Sequence, residues 1–205
     1  MWRGISGAIL ADVVLDGFVR ALDGFEAVLA GVGPGRWDAP SPCAGWCAAD
    51  VAGHVIGDLR AVEAYATGRD EEDRDEEGSA ADPRSAAGDD PLATWRAARA
   101  DLMAALDPAA LARPVPLPWG GSMPLGGWLE RYPMEFLVHT WDLAQATGQA
   151  VVLDPGLVRG ALGPAGQFAP IARMSGLIGP GYAVADDADD LTRLLAIFGR
   201  RNPDD

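Results

Sequence analysis

The sequence predicts an all-α protein, a single domain of 205 residues and 21.4 kDa. Apolar residues recur at helical spacing in four long stretches, and Gly and Pro gather between those stretches. The one candidate extended segment, RPVPLPWGGSMPLGG at 113–127, is so broken by Pro and Gly that it forms a short hairpin at best.

From Ala8 onward, Ala11, Leu15, Phe18, Leu22, Phe25 and Leu29 recur at alternating steps of three and four, with Asp12, Asp16, Arg20 and Asp23 on the other side. This predicts a long amphipathic first helix. Gly17 and Gly24 each weaken local helix preference by about 1 kcal/mol, so packing has to hold it. GVGPGRWDAPSP at 31–42 cannot continue the helix and reads as a loop. A second helix is expected from about Ala48 to Thr67, with Asp50 in its first turn, Val51, Val55, Leu59 and Val62 as its buried stripe, and Gly68 closing it.

Residues 69–90 carry ten acidic and three basic side chains, half of the net charge of −14. Self-repulsion and low hydrophobicity predict a mobile, solvated crossover between helices two and three, long enough to let them run parallel. The third helix spans roughly Pro91 to Leu106, with Leu92, Trp95, Ala98, Leu102 and Leu106 on one side. After the hairpin segment, a nearly all-apolar fourth helix is expected from about Gly127 to Thr147, ended by Gly148 as a C-cap. A weaker helix from Asp154 to Ile171, with Gly and Pro in its middle, and a small final helix from Asp189 to Gly199 complete the chain.

Composition excludes several functions. A pI near 4.4 opposes binding to nucleic acid or to an anionic membrane surface. No stretch approaches the ~18 apolar residues of a membrane span. The chain contains no lysine, which removes Schiff-base, phosphate-loop lysine and Ser-Lys chemistry. Two cysteines, Cys43 and Cys47, make no disulfide framework, and no secretory leader is visible at the N-terminus; a reducing cytoplasm fits best.

The chemistry concentrates in the fourth helix, where Glu135 and His139 stand one turn apart on one face. A carboxylate in so apolar a helix needs a partner. His54, the other histidine, lies between Val51 and Val55 on an inward face of the second helix. Two histidines and a carboxylate from facing helices can bind a metal in a bundle core and leave a coordination position open. On spacing alone, the Glu135–His139 pair is also explained by an intrahelical hydrogen bond, and a lone inward histidine is more often a satisfied core residue.

Three segments bear a resemblance. SPCAGWCAADVAGHVIGDL at 41–59 resembles the PCxGWxxxDxxxH region of the DinB-like superfamily, in particular its actinobacterial branch related to mycothiol-dependent maleylpyruvate isomerase. EFLVHTWDLAQATGQ at 135–149 resembles that branch's ExxxHxWDLAxATG helix, and the tail from Ser175 to Arg201 is similar to its closing segment. The resemblance implies a four-helix bundle in up-down-down-up order. It also implies that His54, Glu135 and His139 are ligands to a divalent metal, usually zinc, and that mycothiol serves as thiol cosubstrate. Cys47 stands where the family usually has Thr or Ser to cap the second helix, so a weaker helix start is expected.

The implied activity is a metal-dependent isomerase or transferase that adds a thiol to an electrophilic small molecule. The alternatives are a non-catalytic metal- or ligand-binding stress protein and a biosynthetic enzyme reusing the fold. Expected partners are a small-molecule substrate and at most a second copy in a homodimer, with no nucleic acid or membrane. Three residues are further catalytic candidates: Asp142 as an acceptor orienting a histidine, Asp58 one turn beyond His54, and Arg131 as a carboxylate clamp. Trp46, Trp119, Trp128 and Trp141, like Cys43 and Cys47, are expected mainly to pack.

Overall fold

The computed structural model describes residues 7–69, 82–117 and 120–201. Its elements, in chain order, are α1 (Gly7–Ala30), α2 (Ala48–Thr67), α3 (Pro83–Ala87), α4 (Pro91–Ala105), α5 (Pro108–Leu111), β1 (Pro114–Pro116), β2 (Ser122–Pro124), α6 (Leu125–Leu129), α7 (Pro133–Thr147), α8 (Pro155–Met174) and α9 (Asp190–Ile197). The long helices close a ring: α1 packs on α7, α7 on α2, α2 on α4 and α4 on α1. β1 and β2 pair antiparallel as a three-residue hairpin, with Val115 opposite Met123. Trp119 and most of the acidic segment, residues 70–81, lie outside the described residues.

The predicted stripe of α1 is the core. Phe18, Leu22 and Phe25 have no exposed surface. Phe18 meets Phe136 edge-on with ring centres 5.6 Å apart, and Phe25 lies 4.8 Å from Trp95. Burying each such ring contributes about 1.5–3 kcal/mol, which carries α1 through Gly17 and Gly24. At its polar edge α1 is tied to α4 through Glu26, which accepts from Trp95 Nε1, Arg96 Nε and Arg99 Nη1.

Four helices start on an Asp-Pro pair: Asp82–Pro83, Asp90–Pro91, Asp107–Pro108 and Asp154–Pro155. In each, the Asp carboxylate accepts from a free first-turn N–H, while Pro occupies a position where the helix needs no donor. At α2, Asp50 compensates for Cys47 by accepting from the Cys47 N–H at 2.7 Å. The carbonyls of Ala39 and Trp37 take the N–H groups of Ala48 and Ala49.

Three expectations are corrected. The expected single helix from Gly127 is two helices, because Pro133 has no N–H to give Leu129 and restarts the chain as the first residue of α7. The crossover is not all solvated chain: α3 is ordered, with Ala87 buried, and lies against α2. The approach is so close that a Cβ on Gly53 would stand 1.8 Å from the Pro83 carbonyl oxygen. The supposedly weak helix α8 runs 20 residues through Pro164 and Pro170. The carbonyls those rings crowd belong to Gly160 and Gly166, whose backbones have most freedom to yield. Its buried alanine face then packs on α7 and α9.

Candidate metal centre

On α7, positions 135, 139 and 142 form one stripe and 136, 140 and 143 the next. Phe136 anchors the second stripe against α1, and Glu135 reaches His54 on α2. His54 Nε2 lies 3.2 Å and His139 Nε2 3.0 Å from the same Glu135 Oε1. One donor atom from each of His54, Glu135 and His139 lies within 4.8 Å of the others. The three side chains, from two helices, therefore present two nitrogens and a carboxylate to one point, which suits a divalent cation such as zinc.

A second layer fixes this arrangement. His139 Nδ1 donates to Asp142 Oδ2 at 3.1 Å. Asp142, fully buried, is held in turn by Arg200, Nε to Oδ1 at 3.1 Å and Nη2 to Oδ2 at 2.9 Å. Arg200 Nη1 also donates to the Phe198 carbonyl, fastening the segment after α9 to the site. Burial opposes a charge on His139, but with both ring nitrogens bonded to carboxylates its pKa rises to about 10. Burial likewise opposes the Glu135 and Asp142 carboxylates, and their hydrogen bonds to His139, His54 and Arg200 more than offset it, holding both below the usual carboxylate range.

Asp58 lies 3.5 Å from His54 Nε2, and burial pushes its pKa up. Tyr132 hydrogen-bonds Asp58, and its own pKa is raised well above the usual value, first by burial and then by the neighbouring carboxylates. Arg131 is exposed at the edge of the cavity into which these groups open. That cavity measures about 1090 Å³, and residues of the loop before α2, of α2 itself, of α6 to α8 and of the C-terminal segment line it.

Trp46 packs against the core as expected and also lies over both histidines, its ring centre 4.9 Å from that of His54 and 5.8 Å from that of His139. The CAGW turn puts it there: the Trp46 N–H bonds the Cys43 carbonyl, and Gly45 takes φ +83°, which other residues rarely adopt. Trp128 lines the cavity, whereas Trp141 is buried. Cys43 lines the cavity with its thiol pKa pushed up by burial; Cys47 starts α2, and both are free thiols. Neither joins the His54, Glu135 and His139 group. The sequence reading missed Arg200 and Tyr132; nothing in their local spacing marked them, since each acts through a residue distant in sequence or on another helix.

Residues 18–144 match the family described as the mycothiol maleylpyruvate isomerase N-terminal domain. The uncharacterized protein Rv0738 of Mycobacterium tuberculosis strain H37Rv is 32% identical over 175 residues, covering 82% of this chain and 84% of that protein. The uncharacterized protein MT0763 of strain CDC 1551 matches equally. Among solved structures, the mycothiol-dependent maleylpyruvate isomerase superposes with a TM-score of 0.56 at 18% identity, covering 78% of this chain and 69% of that one. A histidine-to-alanine mutant of such an isomerase gives 0.53 at 19% identity, with the same coverage. At such identity these structures establish the shared fold.

Proposed function

The chain belongs to the family of the mycothiol maleylpyruvate isomerase N-terminal domain, and from that premise we propose that it is a metal-dependent enzyme adding a thiol to an electrophilic small molecule. The observation that carries the reading is the convergence of His54, Glu135 and His139 on one point at the wall of a large cavity. These three residues would hold a divalent metal, zinc by the chemistry of the donors. When bound there with a position open, such a metal supplies Lewis acidity that favours thiolate over thiol.

The chain's own residues do the rest. Asp142 accepts a hydrogen bond from His139 Nδ1–H, which turns the Nε2 lone pair toward the cation position. His139 and Arg200 together keep Asp142 ionised, so this orientation does not lapse. Trp46 covers both imidazoles and keeps bulk water off one side. Asp58 and Tyr132 share a hydrogen bond in the cavity wall and are placed to hold a proton beside the reacting groups. Arg131, which lines the cavity, would receive a substrate carboxylate. With mycothiol as the thiol, addition across a cis double bond, rotation and elimination of the thiolate give isomerisation; addition followed by protonation of the enolate, or displacement of halide from a haloarene, gives transfer. The free cysteines and the absence of any helix in the described residues long and apolar enough to cross a membrane accord with action in the cytoplasm.

Elemental analysis of the purified protein, followed by mycothiol-dependent turnover of maleylpyruvate and of a haloarene, tests this. Stoichiometric zinc with thiol-dependent turnover is expected. Saturating zinc with no turnover under any thiol would leave a binding protein, and a metal-free protein that cannot be loaded would end both readings.

A further inference from the structure

Given the thiol-addition reading above, on which this step rests, we propose that the substrate carries a single carboxylate on a bulky apolar body, of the aroylacrylate kind. A compact dicarboxylate fits the cavity poorly.

Charge is the first reason. Apart from the two histidines of the metal position, two basic side chains line the cavity, Arg131 and Arg200. Arg200 has its charge paired with Asp142 through Nε and Nη2, and donates Nη1 to the Phe198 carbonyl. Arg131 is exposed, with no ion-pair partner among the described residues, so one carboxylate can meet its guanidinium at two points. The position between His54, Glu135 and His139 goes to the thiol. A second carboxylate would then face Asp58 and Glu135, which repel it, or apolar side chains and the neutral amide of Gln167, with no other unpaired cation among the described lining residues to balance its charge.

Shape is the second reason. Beyond the polar cluster the wall is built of Met123, Trp128, Val138, Phe168, Ile171 and Ile178. Trp128 is fixed edge-on against Tyr65 and Tyr132, with ring centres 5.5 and 5.1 Å away, and makes a rigid aromatic side. A volume of about 1090 Å³ lies just above the range for drug-sized ligands, roughly 300–1,000 Å³, and has room for a thiol together with an aromatic body. Apolar surface on the substrate has matching surface to bury here, and a compact diacid has none to offer.

For a cis-3-acylacrylate the chemistry balances within the site. The thiolate sulfur bonds the alkene carbon β to the ketone, and the π pair moves into an enolate. The former double bond rotates, and the enolate expels the same thiolate. One C–S bond forms and then breaks, no proton is consumed overall, and nothing is oxidised or reduced.

The test compares cis-3-benzoylacrylate with maleylpyruvate, using the zinc-loaded full chain and mycothiol and following cis-to-trans conversion by chromatography. The expected result is a kcat/KM at least tenfold higher for benzoylacrylate, with R131Q raising its KM tenfold or more and changing kcat less. Equal or better turnover of maleylpyruvate overturns the substrate assignment while upholding thiol addition. If neither compound reacts, the thiol-addition reading fails, and calorimetric titration with trans-3-benzoylacrylate and with fumarate decides the ligand class. Tighter binding of benzoylacrylate that weakens in R131Q supports the assignment; equal binding, or none, overturns it.

Discussion

Arg200 and Asp142 meet in a two-point ion pair, Nε to Oδ1 at 3.1 Å and Nη2 to Oδ2 at 2.9 Å, although 58 residues separate them. The Asp142 carboxylate has no solvent exposure, and His139 and Arg200 together make its burial tolerable. R200A strands that charge, and breaking one side of a buried pair costs about 3–5 kcal/mol, or roughly 10 °C in melting temperature for a chain of this size. Zinc affinity should also fall about 10–100-fold, because His139 loses a firmly held orienting partner. Chelator competition measures the second effect and thermal melting the first; R200K, which keeps the charge without the fork, should recover part of both. Unchanged zinc affinity in R200A would separate the tail from the site.

His139→Ala and Glu135→Gln remove donors at the point where two helices converge. Neither side chain is part of the aromatic packing of Phe18, Phe25, Trp95 and Phe136 that joins α1, α4 and α7. Loss of stoichiometric zinc with retained helical circular dichroism is therefore expected for His139→Ala, and weakened zinc binding for Glu135→Gln. Full zinc content in purified His139→Ala protein would contradict the ligand assignment.

Why the long helices and the three converging residues were legible in the sequence follows from periodicity. Phe18, Leu22 and Phe25 repeat at the helical step and are buried, and Glu135 and His139 share a face because that same step puts them there. Gly68 and Gly148 were readable as stops because each takes a positive φ, 74° and 71°, that other residues rarely adopt. What escaped depends on contacts between distant segments. Trp46 looks like any core aromatic until the CAGW turn sets it over two histidines. Arg200 looks like one more surface arginine until the fold brings it to Asp142. α8 was underrated because propensity counts Pro164 and Pro170 against it, whereas its alanine face on α7 and α9 outweighs that count.

Gly53 marks a place where a methyl group is expected to act at a distance. A Cβ there would stand 1.8 Å from the Pro83 carbonyl oxygen and 2.7 Å from its carbon, both backbone atoms that cannot rotate away. Gly53→Ala should therefore push α3 off α2 although alanine is the better helix former, costing about 1–3 kcal/mol as overpacking does. Faster proteolytic cleavage near Ser85 and a lower melting temperature would show it. A stabilised variant would mean that α3 does not sit where it is described.

Metal uptake should also depend on pH in a direction that His139 sets. In the metal-free protein both of its nitrogens face carboxylates, so it holds a second proton up to about pH 10, against 6.5 for an unperturbed imidazole. A ligating Nε2 must give that proton up. Zinc binding at pH 7 is therefore expected to release about one proton, seen as a dependence of calorimetric enthalpy on the ionisation heat of the buffer. Affinity should weaken by up to tenfold per unit as pH falls below about 10. Without metal the linkage runs the other way. Because the folded-state pKa of His139 is raised, its contribution to stability is complete below about pH 6.5 and is lost as pH climbs toward 10. Glu135 and Asp142, whose pKa values are lowered, contribute above the ordinary carboxylate range and lose that contribution only in acid. Metal-free protein should thus melt at a lower temperature at pH 9.5 than at pH 6.5, and zinc-loaded protein should lack that decline, since metal has already taken the place of the titrating proton. Equal slopes for the two forms would show that His139 is not where the cation binds.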